Sequence, residues 1–250
     1  MIQFKNIHKR FGTREILKGI DLDIVRGKTT VILGVSGGGK STTIKHIVGL
    51  LTPEEGEIIV DGKQIVGCSE KEMREVRKEV GFLFQSGALF DSMNVFENVA
   101  FPLREHTKLS EEEIHKQVNS KLSMVGLNPD DIGTLFPDEL SGGMRKRVGL
   151  ARTIVQEPKI ILYDEPTSGL DPVTSDHITQ MIIKLQRELG VTSILISHDI
   201  QESFKAGDYF AMLFDGKIVA YGNQEEIQNS PHPAVQQFLH GRSEGPIQFA

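Results

Sequence analysis

Thr29-Thr30-Val31-Ile32-Leu33-Gly34-Val35-Ser36-Gly37-Gly38-Gly39-Lys40-Ser41-Thr42 decides how the rest of the chain is read. A short apolar strand runs straight into glycines, and a helical pattern follows. From Gly34 to Ser41 the residues fit Gly-x-x-x-x-Gly-Lys-Ser, a phosphate loop set between a strand and a helix. Glycines let successive backbone N–H groups turn inward around a phosphate without Cβ clashes. The helix that follows offers its positive end to the anion, worth only about 0.3–1 kcal/mol at an exposed site. Retaining a polyphosphate therefore depends on Lys40, a full charge toward the β- and γ-phosphates, and on Mg²⁺ held by the Ser41 hydroxyl.

Outward from this stretch, segments rich in Val and Ile alternate with helical patterns, which predicts an α/β fold with a mainly parallel sheet. Residues 2–7 and 16–24 read as strands of an antiparallel edge. Residues 41–51 read as a helix stopped by Pro53, and 58–66 as a hairpin around Asp61-Gly62. A buried strand over 80–84 ends at Gln85. From 87 to about 157 the reading is almost wholly helical, with Ser110 and Glu113 forming a capping box. The α/β pattern resumes with a strand over 159–163, a helix begun by Asp171-Pro172 and ended by Gly190, a strand over 192–197, and a hairpin around Asp215-Gly216. Residues 1–86 and 158–240 are thus expected to form the core with its β edge, 87–157 a helical subdomain and 241–250 a tail. That tail, carrying Ile247 and Phe249, is expected either to be disordered or to pack on a neighbouring subunit.

Ile160-Ile161-Leu162-Tyr163-Asp164-Glu165 is an apolar strand that delivers two carboxylates at its carboxyl end, where open α/β sheets bind ligands. Asp164 is placed to hold Mg²⁺ through water. Glu165 is the candidate base for an attacking water, a role typically worth about 10²–10⁴-fold in rate.

Composition bounds the rest. The 250 residues are 38% hydrophobic and 25% charged, as in globular proteins, with a net charge of −6 that argues against nucleic acid as the main partner. A single cysteine, Cys68, excludes an internal disulfide and fits a reducing compartment, most simply the cytoplasm. The first residues show no signal peptide, and no apolar run of about 18 residues could span a bilayer. Any membrane role is expected to come through a partner.

Leu140-Ser141-Gly142-Gly143-Met144, about twenty residues before Asp164-Glu165, looks like the signature of the ATP-binding-cassette (ABC) ATPases, which the chain resembles over almost its whole length. The resemblance implies an enzyme that hydrolyses ATP with Mg²⁺ and works as a head-to-tail pair of copies, with Ser141, Gly142 and Gly143 closing over the nucleotide of the second copy. It implies that Gly34, Ser36, Gly37, Gly38, Gly39, Lys40, Ser41 and Thr42 cradle the phosphates, and that Phe11 stacks on adenine. Gln85 would sense Mg²⁺ and the water, His198 would contact the γ-phosphate, and Asp171, in a Ser168-Gly169-Leu170-Asp171 segment like the D-loop, would link the paired sites while capping its own helix. Met144 departs from the usual glutamine and loses an amide contact; Gly38 replaces a common serine.

Within the family, the stretches Gly34–Thr42, Gln85–Asp91 and Met144–Arg152 resemble the ATPases of Mce-type lipid transporters, the Mla phospholipid transporter in particular. That likeness implies a membrane permease, an MCE-domain lipid-binding protein and a small STAS-domain protein as partners, phospholipid as cargo between Gram-negative membranes, and a place at the cytoplasmic side of the inner membrane. The region of Leu89, Phe90, Met93, Val95, Phe96, Val99 and Phe101 is rich in large apolar groups. The resemblance implies that a coupling helix of the permease docks there, and the alternative is that most of these residues form the core of the helical subdomain. An importer of a polar solute and a soluble ABC ATPase acting on nucleic acid are the alternative readings.

Overall fold

The structure, a computed structural model, describes residues 1–248. In chain order the strands are β1 (Ile2–Phe11), β2 (Arg14–Ile24), β3 (Thr29–Leu33), β4 (Glu55–Val60), β5 (Lys63–Gln64), β6 (Val80–Leu83), β7 (Ile160–Asp164), β8 (Thr192–Ile196), β9 (Tyr209–Phe214) and β10 (Lys217–Gly222). The helices are α1 (Lys40–Lys45), α2 (Glu70–Lys78), α3 (Val95–His106), α4 (Glu111–Met124), α5 (Pro129–Ile132), α6 (Gly142–Ile154), α7 (Pro172–Leu189), α8 (Ile200–Ala206), α9 (Gln224–Gln228) and α10 (Pro233–Leu239). They fall into two compact units, one made of Met1–Arg77 with the chain from Val191 onward, the other of Lys78–Gly190.

In the first unit, β1 pairs antiparallel with β2 on one side and β4 on the other, and β5 closes the hairpin with β4. One face of these strands buries Ile2, Phe4, Ile7, Leu17, Ile20 and Ile58. Separately, β3 lies between β8 and β9, parallel to both, and β10 returns antiparallel along β9. All five residues of β3 are buried, so both of its faces are covered, which is why its sequence is continuously apolar or β-branched rather than alternating.

The second unit pairs β6 with β7 in parallel, Val80 opposite Ile160 and Leu83 opposite Tyr163. α3, α4 and α6 pack on one another, and α6 also packs on β6 and α7. The Ser110–Glu113 capping box starts α4, and Ile114, Val118 and Leu122 form its buried stripe. A second reciprocal box, Asn94 with Glu97, starts α3.

Two expectations need correction. The helix after the phosphate loop ends at Lys45 instead of Leu51: tight bonds from Ile47 N–H to Ile44 O and from Gly49 N–H to His46 O follow, and Gly49 leaves at φ 66. A left-handed glycine at that point ends the helix before Pro53 is reached. The segment 87–94 is loop, not helix, because Asn98, fully buried, supplies the bonds a helix would have made. Its amide nitrogen donates to the carbonyls of Phe90, Met93 and Asn94, and its oxygen accepts from Phe90 N–H at 2.8 Å. Ile247, expected at a subunit contact or in disorder, is buried within its own chain; Phe249 lies outside the described residues. Among the described residues no helix is long and apolar enough to cross a membrane.

Candidate active site

β3 delivers Gly34 so close to β9 that a Cβ there would lie 2.4 Å from the Leu213 carbonyl oxygen, at φ 148. Only glycine fits. The loop turns back on itself through a bond from Gly38 N–H to Val35 O, and Ser36 and Gly37 stay exposed. Gly39 is the N-cap of α1, and Ser41 and Thr42 lie half-buried in its first turn. Lys40 is 4% exposed, and its ammonium donates to the carbonyls of Gly34 at 2.8 Å and Val35 at 2.9 Å. A cation is therefore held inside the turn of the loop, on oxygens that a phosphate could replace.

Gly34, Val35, Ser36, Gly37 and Gly38 line a cavity of about 1330 Å³ that His198 also lines. His198 sits in the turn after β8, where Asp199 N–H bonds Ser197 Oγ at 3.0 Å and the Asp199 carboxylate caps α8. Phe238, Arg242 and Ile247 form another part of the wall. Phe11, at the end of β1, is 49% exposed and has the Lys9 ammonium 5.6 Å from its ring centre.

In the second unit, β7 ends in Asp164, which is 6% exposed, and the next residue, Glu165, turns the chain at φ 48. The amide nitrogen of Gln85, just past β6, donates to Glu165 Oε2 at 3.2 Å and to Ser168 Oγ at 3.1 Å. Gln85, Glu165 and Ser168 are thus one hydrogen-bonded group. Lys146 enters it from α6, donating to the Gln85 carbonyl and, at 3.5 Å, to the Glu165 carbonyl. Burial lowers the Lys146 pKa from its ordinary value, and the charges of Glu165 and Asp164 oppose that shift.

Ser141 is the N-cap of α6: Met144 N–H donates to its Oγ at 3.2 Å. Met144 thus contributes a backbone donor, independent of its side chain. Ser141, Gly142 and Gly143 line a cavity of about 350 Å³ together with Gly169, Leu170 and Asp171, so the signature and D-loop stretches share one concave surface. The Asp171 carboxylate accepts from Val173 N–H, Thr174 N–H and Thr174 Oγ1, and the Thr174 hydroxyl is the main reason its pKa is held below the ordinary carboxylate value. Its N-cap role is the one these bonds define.

Lys146 and Arg152 are not evident from motif spacing. Arg152 donates to the carbonyls of Gly87 at 2.8 Å and Ala88 at 2.9 Å, and burial lowers its pKa. The available signal is a lysine on the stripe 146, 149, 150, 153, whose other members Gly149, Leu150 and Thr153 are buried. A cation on such a stripe requires partners.

A strand, glycine loop and helix in one unit, with a strand ending in Asp-Glu in the other, define the class: a P-loop nucleoside triphosphatase of α/β architecture. Residues 17–168 match the family model described as ABC transporter, and the chain belongs to that family as an ATPase that binds and hydrolyses ATP. It is 47% identical over 246 residues to the Mycobacterium leprae "probable ribonucleotide transport ATP-binding protein mkl", covering 98% of this chain and 70% of that one. It is 45% identical over 249 residues to the Haemophilus influenzae "intermembrane phospholipid transport system ATP-binding protein MlaF", covering 100% of this chain and 94% of that one. Among solved structures, the dimeric post-hydrolysis state of the ATP-binding cassette MJ0796 bound to ADP and Pi superposes with a TM-score of 0.82 at 33% identity, covering 89% of this chain and 98% of that one. The fold is that of an ABC nucleotide-binding domain, with its antiparallel β and helical subdomains.

Proposed function

We propose that this chain drives phospholipid trafficking between the membranes of a Gram-negative envelope. It would work as a head-to-tail pair on the cytoplasmic face of the inner membrane, coupled to a permease, an MCE-domain lipid-binding protein and a STAS-domain protein. The observation that carries this reading is the end-to-end match to the phospholipid-transport relative, 100% of this chain against 94% of that one. The docking surface for the permease is the groove of about 330 Å³ lined by Phe82, Phe84, Phe90, Phe101 and Arg152. Phe90 is 42% exposed there, whereas Val95 and Val99 of the same stretch are core.

On ATP, Lys40 would exchange its loop carbonyls for β- and γ-phosphate oxygens, the loop amides from Ser36 to Thr42 would hold the phosphates, and Phe11 would stack on adenine. Glu165, oriented by Gln85, would draw a proton from the water as its oxygen attacks the γ-phosphorus and the bond to ADP breaks; His198 would contact the γ-phosphate. Ser141, Gly142 and Gly143 would close over the nucleotide of the second copy, with Asp171 holding the D-loop beside them. The hydroxyl of Ser41, the amide oxygen of Gln85 and the carboxylate of Asp164 are hard oxygen donors of the type Mg²⁺ takes, and would hold it. Bound there, Mg²⁺ would neutralise charge on the β- and γ-phosphates.

The 47% identity to a ribonucleotide-transport relative supports a second reading, a transporter of a polar solute. Purification of the assembled complex from membranes, with mass spectrometry of proteins and bound small molecules, separates the two. The proposal expects an MCE-domain protein and phospholipid; a solute-binding protein without lipid would overturn it. Glu165→Gln is expected to bind ATP normally and to lose nearly all turnover, and near-normal hydrolysis would remove Glu165 from its role.

A further inference from the structure

We propose that Lys146 is a positioning residue for ATP hydrolysis: its buried ammonium, shared between the main-chain oxygens of Gln85 and Glu165, ties the signature helix to both groups that act on the water. This rests on the assignment of Gln85 and Glu165 to hydrolysis made above.

Lys146 lies in the second turn of α6, five residues after the N-cap Ser141, and is 6% exposed. A buried cation is tolerated only where oxygens replace its water. Here those oxygens belong to two separate breaks in regular structure, Gln85 just past β6 and Glu165 just past β7. At the second break the backbone is in the left-handed region, φ 48, where a non-glycine residue needs outside support. The Glu165 carbonyl receives it from Ser168 N–H at 3.2 Å and from Lys146.

The contacts close into a ring. Lys146 holds the Gln85 main chain, the Gln85 side chain holds the Glu165 carboxylate, and the Glu165 main chain returns to Lys146. Displacing α6 therefore displaces the amide and the carboxylate together. Arg152, two turns along the same helix, bonds Gly87 and Ala88 instead, which anchors the following loop without entering the ring. The helix that begins with Ser141 thus carries a direct mechanical connection to the hydrolytic pair.

The test is steady-state ATP hydrolysis by the full chain with Mg²⁺, together with nucleotide affinity and the thermal midpoint. Lys146→Met is expected to lower kcat by about ten-fold or more, since small misplacements of reacting groups have effects of that order, with KM for ATP near wild type. Lys146→Arg, which keeps a fixed cation, should recover most of kcat, and Lys146→Gln, which keeps only a neutral donor, should recover less. Unchanged kcat in Lys146→Met, a loss confined to KM, or a loss that Arg does not relieve each overturns the proposal. If Lys146→Met does not fold, the Arg and Gln variants decide, and Gln equal to or better than Arg overturns it. Glu165→Gln is assayed alongside: turnover retained there removes the underlying reading, whereas an inactive Glu165→Gln beside a normal Lys146→Met removes this inference alone.

Discussion

The side-chain amide of Gln237 grips both main-chain polar groups of Ile247: Ile247 N–H donates to Oε1 at 2.7 Å, and Nε2 donates to the Ile247 carbonyl at 3.0 Å. Both residues are buried, Gln237 at 4% and Ile247 at 5% exposure. The amide does for Ile247 what a neighbouring strand would do, so this one residue of an otherwise exposed irregular stretch after α10 can be buried without orphaned backbone groups. Pro246, Ile247 and Gln248 line the same cavity as the phosphate loop, which makes the fastening relevant to nucleotide access.

Gln237→Leu should therefore release the segment. Each buried group left without a partner costs about 1–3 kcal/mol, and local opening relieves both at once. Hydrogen exchange is expected to rise across residues 242–248 while β3 and β8 keep their protection. Protection of 242–248 equal to wild type would show that the amide does not hold it.

Two glycines of one loop should differ sharply. Gly34→Ala places a Cβ 2.4 Å from a main-chain oxygen, whereas Gly37→Ala at φ 73 meets nothing within 4 Å. The second change carries only left-handed strain, about 1–2 kcal/mol, while the first also forces β3 from β9. ATP binding, measured by titration, is expected to be lost in Gly34→Ala and weakened modestly in Gly37→Ala. Equal behaviour of the two would mean that close packing of β3 on β9 is not what selects glycine at 34.

Asp171 gives a pH-dependent outcome. Its folded pKa is depressed, first by the Thr174 hydroxyl and then by the Thr174 amide. A depressed carboxylate adds stability above the unfolded-state pKa, and the gain disappears as pH falls through the folded value. Asp171→Ala should therefore unfold at a lower temperature than wild type at pH 7, with the gap closing in acid, and Thr174→Val should show part of the same effect. A gap of constant size from pH 7 into the acid range would rule out the carboxylate as its source.

The strand–loop–helix from Thr29 and the strand ending at Asp164 are legible in the sequence because local pattern determines them: a continuous apolar run marks a strand covered on both sides, and glycine spacing marks the turn. The overlong helix from Ser41 shows the limit. Apolar spacing continues through Val48 and Leu51, and nothing local indicates that Gly49 adopts φ 66. Asn98, Lys146 and Gln237 are harder still. Each is a polar side chain whose partners are main-chain groups of a separate segment, and residue type alone does not say which segment will need bonds. Ser141 stands out in the sequence through the family motif it belongs to, while its cap to Met144 N–H emerges only from geometry.

Asn98 offers the sharpest test of such hidden partners. Its amide nitrogen faces three carbonyls, those of Phe90, Met93 and Asn94, and its oxygen faces one N–H. Asn98→Ala leaves these groups without the side chain in a fully buried position and should cost about 2–4 kcal/mol in denaturant unfolding. Asn98→Asp is nearly the same shape but turns the donor end into an anionic acceptor facing three carbonyl oxygens. At neutral pH it should be at least as damaging as alanine, and part of the loss should be recovered in acid as the carboxyl takes up a proton and can donate. The loop it organises presents Phe90, so on the proposed docking of a permease segment in the Phe90–Phe101 groove, that binding should weaken in parallel. An Asn98→Asp variant as stable as wild type at pH 7 would show that the three carbonyls do not depend on a donor at this position.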